Sequence, residues 1–185
     1  MSFFYKAAYS QNKIMKKKAL IIVSKNGFLD EEYFLLYKRF VHEGISITVG
    51  SQTKGKVEGV HGIDVRSELS LGEVKSADFD IIIFLQGPGI WDMAQEDVVY
   101  SLIHRFKDED KILAASGNAV ILLANAGALM GKRVTGDHSI EESIINKGGD
   151  YTGMPLEQDG NIITSKDVES VGGFLEKILW TLGDN

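Results

Sequence analysis

The chain contains no cysteine and only two prolines among its 185 residues. Without cysteine, this chain can form no disulfide, no zinc–thiolate centre and no thiol nucleophile. Proline-rich linkers, internal repeats and low-complexity stretches are absent as well, so nothing in the pattern divides the chain into separate domains. Its length suits a single domain with one substantial core.

Long apolar runs and a basic face are also missing. No apolar run approaches the roughly 20 residues that a membrane-spanning helix needs, and residues 1–14 lack the apolar stretch of a signal peptide. A net charge of −6 with a pI near 5.2 disfavours nucleic acid as a partner. We therefore expect a cytoplasmic protein that binds neither membranes nor nucleic acids. We interpret residues 1–14 as an extension and residues 15–185 as one domain, with Met15 as an alternative start.

Short apolar runs alternate with helical patterns along the rest of the chain. Residues 19–23 and 80–85 are almost continuously apolar, which is typical of strands buried on both faces of a sheet. Strands separated by helices indicate an α/β fold, namely a three-layer sandwich with a mostly parallel sheet and helices on both faces. The other predicted elements are strands at 45–49 and 112–115, a hairpin at 151–164, and helices at 30–43, along 98–106, at 120–126 and 139–147, and along 168–182.

Ligands of such a sheet bind beyond the carboxyl ends of its strands. The candidate site therefore lies in the loops at residues 24–30, 86–92, 116–119 and 135–139. No group of His, Asp and Glu residues has metal-ligand spacing, and nothing indicates a cofactor. The candidate binding residues are Gly87, Gly89, Asp92, Ser116, Gly117, Asn118, Asp137 and His138.

Backbone groups dominate this candidate pocket. The N–H groups after Gly117 open a helix and would face the cleft, where they suit a carboxylate or another small anion. Gly87 and Gly89 allow the backbone to approach a ligand closely, and Asn118 adds an amide. The alternative is a cleft that holds only water.

Five stretches of the chain resemble the ThiJ/PfpI superfamily, whose members have a flavodoxin-like or class I glutamine-amidotransferase-like fold. The resemblance runs in order from about Lys18 to Leu182, and it implies a homodimer or a higher homo-oligomer. The matching stretches are Asn26-Gly27-Phe28 with the helix after it, the glycine-rich loop that ends residues 80–89, the strand-to-helix unit of residues 111–127, and residues 129–135 and 159–165.

The resemblance fails at the active site. The superfamily pattern Ala-x-Cys-His-Gly-Pro places Ser116 at x, Gly117 at the cysteine and Asn118 at the histidine. Leu29 stands where the superfamily usually has a glutamate that hydrogen-bonds the cysteine. Glycine reaches the positive φ of a nucleophile elbow without a Cβ penalty, so it keeps the turn and removes the nucleophile.

Two acidic residues and one histidine match the superfamily less directly. Asp92 matches an acid that reaches the neighbouring subunit in the protease-like branch, and Trp91 beside it is of a type enriched at interfaces. The alternative is that Trp91 packs on its own helix and Asp92 caps that helix. Asp137 stands where some branches have a histidine, although it can equally cap the helix after it. His138 is the only histidine near the predicted pocket, and the alternative for it is an ordinary surface position.

We therefore predict a non-catalytic ThiJ/PfpI-like protein whose former elbow is a vestigial or small-anion-binding pocket. The alternative is a hydrolase, amidase or glyoxalase-type enzyme, intracellular-protease-like, that uses residues other than cysteine. Ser116 is a poor substitute nucleophile, because side chains alternate along a strand and it should point away from the position of the superfamily's sulfur. A third interpretation is an interaction module whose oligomer surface is its function.

Overall fold

The computed structural model describes residues 17–183, so the extension predicted at residues 1–14 lies outside the described residues, as do the domain ends at 15–16 and 184–185. The strands are β1 (Lys18–Ile22), β2 (Asn26–Phe28), β3 (Ser46–Ser51), β4 (Gly55–Gly59), β5 (Asp64–Ser67), β6 (Leu69–Ser70), β7 (Ile81–Phe84), β8 (Ile112–Ser116), β9 (Arg133–Val134), β10 (Asp150–Tyr151), β11 (Leu156–Asp159) and β12 (Ile162–Ser165). The helices are α1 (Asp30–His42), α2 (Ile90–Met93), α3 (Asp97–Asp108), α4 (Val120–Asn125), α5 (Glu141–Asn146) and α6 (Val171–Gly183).

Seven of these strands form the central sheet in the order β11-β12-β8-β7-β1-β3-β6. Every pair is parallel except β11 with β12, which form an antiparallel hairpin at the edge. The predicted parallel sheet is therefore confirmed. The predicted hairpin is present, but it begins at Leu156 and not at Tyr151, because Tyr151 pairs with Val134 in another sheet. The parallel arrangement brings the carboxyl ends of β1, β7, β8 and β12 to one edge of the sheet, where the candidate site was expected.

Helices cover both faces of the sheet, which confirms the predicted three-layer α/β sandwich. Alternate residues of β1 enter different cores: Leu20 and Ile22 pack with α3, α4 and α5, whereas Ala19 and Ile21 pack with α1 and α6. All four side chains are fully buried. This explains why the strand sequences are apolar at consecutive positions rather than at every second one.

Two small sheets were not predicted. One joins β2, β4 and β5, and the other pairs β9 with β10. The segment from Gly55 to Ser67 is short, polar and rich in glycine, so its pattern carries little strand signal. It is fixed instead by a long-range contact, because Asp30 at the start of α1 accepts hydrogen bonds from the N–H groups of His61 and Ile63 at 2.9 and 3.0 Å.

The helix predicted at residues 139–147 is shorter than expected, and a 3-10 turn at His138–Ile140 precedes α5. Among residues 17–183, no helix is both long and apolar enough to span a membrane.

Candidate functional site

The turn from β8 into α4 forms the centre of the candidate site. Ser116 ends β8, and a 3-10 turn at Gly117–Ala119 leads into α4. Gly117 has a φ of +49°, a value that glycine adopts without the steric penalty of a side chain. The geometry confirms the predicted strand-to-helix turn at Gly117.

The space beside Gly117 is filled by the side chain of Gln86, which follows β7. A Cβ atom at position 117 would overlap the amide oxygen of Gln86 and lie 2.6 Å from its Cδ. Gln86 itself is only 8% exposed, and its Nε2 atom forms no hydrogen bond to the described part of the chain. A side chain at position 117 would therefore have to displace Gln86, whereas glycine leaves room for it.

Two side chains of the elbow bind the loop after β7. The Asn118 amide pairs with both backbone groups of Gly87: its Nδ2 donates to the carbonyl at 2.9 Å, and its Oδ1 accepts from the N–H at 3.0 Å. The Ser116 hydroxyl accepts from the N–H of Gln86 at 3.1 Å. These bonds hold the 86–89 loop against the elbow.

The glycines of the 86–89 loop allow another stretch of backbone to come close. That stretch is the loop after β1 of the same chain. A Cβ atom at Gly87 would overlap the carbonyl of Gly27, and one at Gly89 would overlap the carbonyl of Asn26. In addition, the N–H of Leu29 donates to the carbonyl of Gln86 at 3.1 Å. The loops after β1 and β7 thus pack directly on each other at the carboxyl edge of the sheet.

Sequence reasoning missed the most unusual group of the site, Glu32. It is one of the three acidic residues in the first turn of α1, but its side chain is completely buried, and within residues 17–183 neither carboxylate oxygen forms a hydrogen bond of regular geometry. Burial raises the pKa of Glu32 to about 7, opposed in part by the nearby Ser116 hydroxyl and by the backbone and side-chain amides of Gln86. Helical spacing could have revealed it, since Leu36 and Phe40 share its buried face at four and eight residues' distance.

The segment after β9 reaches the elbow through Gly136, not through its charged residues. A Cβ atom at Gly136 would lie 3.2 Å from the carbonyl oxygen of Gly117. Asp137 accepts a hydrogen bond from the N–H of Ser139 at 2.8 Å and so caps the 3-10 turn at His138–Ile140. It does not cap α5 as expected, because that helix begins only after the turn, with Ile140 at its N-cap. His138 is exposed and pairs through Nδ1 with Glu141 at 2.7 Å.

Asp92 and Trp91 lie on α2, beyond the glycine-rich loop. Both are exposed, and Trp91 retains 47% of its accessible surface. Helix α2 has no side-chain hydrogen bond at its N-terminus. Within residues 17–183, no hydrogen bond joins either residue to Gly117. The site therefore centres on Gln86, Ser116, Gly117, Asn118 and Glu32.

A separate group of side chains, Asp30, Glu31 and His61, brings three potential metal-ligand atoms within 4.8 Å of one another. Each Asp30 oxygen already accepts a backbone N–H, and His61 Nδ1 lies 2.9 Å from Glu31. We therefore assign this group to anchoring the 59–63 loop on α1.

A mostly parallel sheet covered by helices on both faces, with its candidate site at the carboxyl ends of the strands, defines a flavodoxin-like α/β protein. The chain belongs to the DJ-1/PfpI family, whose model matches residues 17–181. The expected family and fold are thereby confirmed.

Individual relatives agree with this assignment. The chain is 28% identical over 147 residues to a deglycase of Pyrococcus abyssi, covering 80% of this chain and 89% of that protein. It is 30% identical over 161 residues to general stress protein 18 of Bacillus subtilis, covering 85% and 93% of the two chains. The crystal structure of a ThiJ/PfpI domain protein from Brachyspira murdochii superposes with a TM-score of 0.88 at 27% identity, over 91% of this chain and 97% of that one.

Proposed function

We propose that this protein is a non-catalytic member of the DJ-1/PfpI family whose nucleophile elbow is closed by its own side chains. The observation that carries the proposal is the position of Gln86, whose amide occupies the space that a side chain at position 117 would need. The absence of cysteine from the chain supports it, because no thiol is present to serve as a nucleophile.

The same packing argues for a vestigial pocket over an anion-binding one. The N–H groups of Gln86 and Gly87 already donate to Ser116 and Asn118, and both polar atoms of the Asn118 amide are engaged by Gly87. A carboxylate would have to displace the Gln86 side chain. Acetate and phosphate at millimolar concentration are therefore expected to leave the melting temperature unchanged.

One observation favours the alternative of an enzyme that works without cysteine. Glu32, with a pKa near 7, lies beside the Ser116 hydroxyl, and a carboxyl that titrates near neutrality suits general-base chemistry. However, Ser116 is fully buried and its hydroxyl already accepts the N–H of Gln86. A hydroxyl in this position has no access to a substrate, so we rank this candidate second.

Turnover assays distinguish the two candidates. We would measure release of free amine from a glycated model substrate, and peptide hydrolysis, with the deglycase of Pyrococcus abyssi as a positive control in the first assay. The proposal predicts no turnover by the wild-type protein in either assay. Turnover that disappears in Ser116→Ala or Asp137→Ala would establish the enzyme instead.

The proposal also extends to assembly. We propose a homo-oligomer whose contact surface includes Trp91, a large aromatic side chain that remains half exposed beside Asp92.

A further inference from the structure

Three polar groups connect the interior of α1 to the elbow. Glu32 is buried under the carboxyl end of β8, with Ser116 and Gln86 as its polar neighbours. The Gln86 side chain then reaches the position that a Cβ at Gly117 would occupy. A buried carboxyl is therefore linked through one amide to the centre of the elbow.

The polar atoms of this group are incompletely satisfied. Both Glu32 oxygens and the Gln86 Nε2 atom are buried and lack a hydrogen bond of regular geometry to any group of residues 17–183. Unpaired buried polar groups are uncommon in folded proteins, and each one weakens the state that contains it. A neutral carboxylic acid tolerates this environment far better than a carboxylate, since burying a charge without partners costs much more than burying a neutral polar group.

Among residues 17–183, no charged side chain offsets a negative charge on Glu32. Within this part of the chain, burial, the Ser116 hydroxyl and the amides of Gln86 influence its ionisation. On its own helix, Asp30 faces the 59–63 loop, and the ion pair between α1 and α6 joins Arg39 to Glu176 near the other end of the helix. The Lys, Arg and His side chains of the described residues thus leave this carboxyl without a counter-ion.

We propose that the proton on Glu32 keeps the elbow closed, and that ionisation of Glu32 opens it by drawing water in and releasing the Gln86 side chain from Gly117. This inference deepens the closed-elbow proposal by identifying the group that controls closure. It is independent of whether any state of the protein is catalytic. In the open state, the Gly117 turn and the Glu32 carboxylate would be exposed to solvent.

The direction of the effect follows from linkage. Closure raises the Glu32 pKa from 4.5 to about 7, so the closed state binds a proton more tightly than an open state in which the carboxyl is hydrated. Raising the pH therefore favours opening. For an open state with an ordinary glutamate, the open-to-closed ratio rises roughly tenfold between pH 6 and pH 8.

Hydrogen exchange followed by mass spectrometry tests this directly. Peptides that cover residues 84–90 and 114–120 would be compared at pH 6 and pH 8 in wild-type protein, Glu32→Gln and the matched control Glu31→Gln. Glu31 lies in the same turn of α1 but is exposed. Comparing the two variants at one pH cancels the intrinsic effect of pH on exchange.

In Glu31→Gln, as in the wild type, we expect protection of both peptides to fall about tenfold from pH 6 to pH 8 after correction for intrinsic exchange. In Glu32→Gln we expect a change of less than about twofold, because no carboxyl remains to ionise. Equal pH dependence in the two variants, or none in either, would overturn the proposal.

A second variant keeps the test decisive if Glu32→Gln fails to fold. Gln86→Ala removes the side chain that fills the elbow and leaves Glu32 in place. We expect fast exchange of the 114–120 peptide at both pH values in this variant. A retained tenfold pH dependence would show that Glu32 acts without Gln86 and would refute the mechanism. Since no activity is measured, failure here is separate from failure of the non-catalytic proposal.

Discussion

Two buried carboxyl groups in the first turn of α1 behave in opposite ways. Burial pushes the pKa of Asp30 upward, but hydrogen bonds from the N–H groups of His61 and Ile63 outweigh it, so this pKa is lowered. Two residues later, burial raises the pKa of Glu32 to about 7, because the Ser116 hydroxyl and the amides of Gln86 offset only part of the burial. Asp30 is covered by a loop near the surface, whereas Glu32 lies deep under the sheet edge. Depth and donors, not residue type, decide the charge of each group.

The largest effect that would test this comparison is the pH dependence of stability. Glu32 has a raised folded-state pKa, so its contribution to stability is full below pH 4.5 and is lost as the pH rises through about 7. The difference between the two pKa values corresponds to about 3 kcal/mol. We expect the wild type to lose much of this between pH 5 and pH 8 and Glu32→Gln to lose little of it, measured by urea unfolding. Parallel curves for the two proteins would refute the assignment.

A cysteine at position 117 would show whether the conditions that perturb the pKa of Glu32 extend to a group at the centre of the elbow. In Gly117→Cys we expect a loss of stability on the order of 1–3 kcal/mol, because a side chain enters a strained φ and must displace Gln86. Among residues 17–183 no histidine lies beside the elbow, and the carboxyl that reaches it through Gln86, Glu32, carries no positive charge that would lower a thiol pKa. The pKa of the thiol should therefore not fall below roughly 8.5, and activity should be weak at most. The chain contains no other cysteine, so labelling by iodoacetamide reads this site alone.

Slow labelling at pH 6 and faster labelling at pH 8.5 would agree with that expectation, and rapid labelling at pH 6 would contradict it. Gly117→Ala provides the matched control for stability, since it introduces the same backbone strain without a thiol. A similar loss of stability in both variants would assign the effect to the backbone and to Gln86.

The contribution of Asp30 to the free energy of unfolding has the opposite pH dependence. Its pKa is depressed, so its contribution to stability is present above pH 3.8 and is lost as the pH falls through the lowered value. In Asp30→Asn we expect a loss of about 1–2 kcal/mol at pH 7, because the N–H groups of His61 and Ile63 lose a charged acceptor. Urea unfolding at pH 7 measures this, with Asp108→Asn, an exposed aspartate at the end of α3 and away from the 59–63 loop, as control. A loss no larger than that of the control would remove Asp30 from the comparison.

The smallest expected effect on stability lies at the surface, away from both carboxyls. Trp91→Ala should leave the free energy of unfolding of the protomer nearly unchanged, since the side chain is half exposed. It should lower the mass of the assembly measured by light scattering at tens of micromolar, because the proposed contact loses its largest aromatic side chain. A monomeric wild-type protein, or an unchanged mass in the variant, would refute the assembly proposal.

Most of the architecture was predictable from the residues themselves. The consecutive apolar residues of β1 and β7 indicated strands covered on both faces, and the spacing around Gly117 indicated a turn from a strand into a helix. These features depend on local pattern and on rules for parallel sheets, and so a single sequence carries them. The β4–β5 hairpin escaped prediction because its strands are stabilised by Asp30, more than 30 residues before His61 and Ile63.

The candidate site was predictable only in part. The pattern placed Gly87, Ser116, Gly117 and Asn118 in loops at one edge of the sheet, and the fold brings them together there. It did not show that Asn118 pairs with Gly87, since the partners of an amide depend on the distance between two loops. Nor did it distinguish Gln86 from an ordinary loop residue.

The amino-acid sequence by itself determined that this protein has no thiol and that glycine occupies the elbow. Tertiary structure alone decided what fills the space beside Gly117 and which of the carboxylates of α1 is deprived of donors. The physical reason is that composition and periodicity are local, whereas burial and hydrogen-bond satisfaction depend on groups brought together from distant strands. Glu32 and Gln86 are separated by more than 50 residues in the sequence, and only the packing of α1 against the ends of β7 and β8 makes them neighbours.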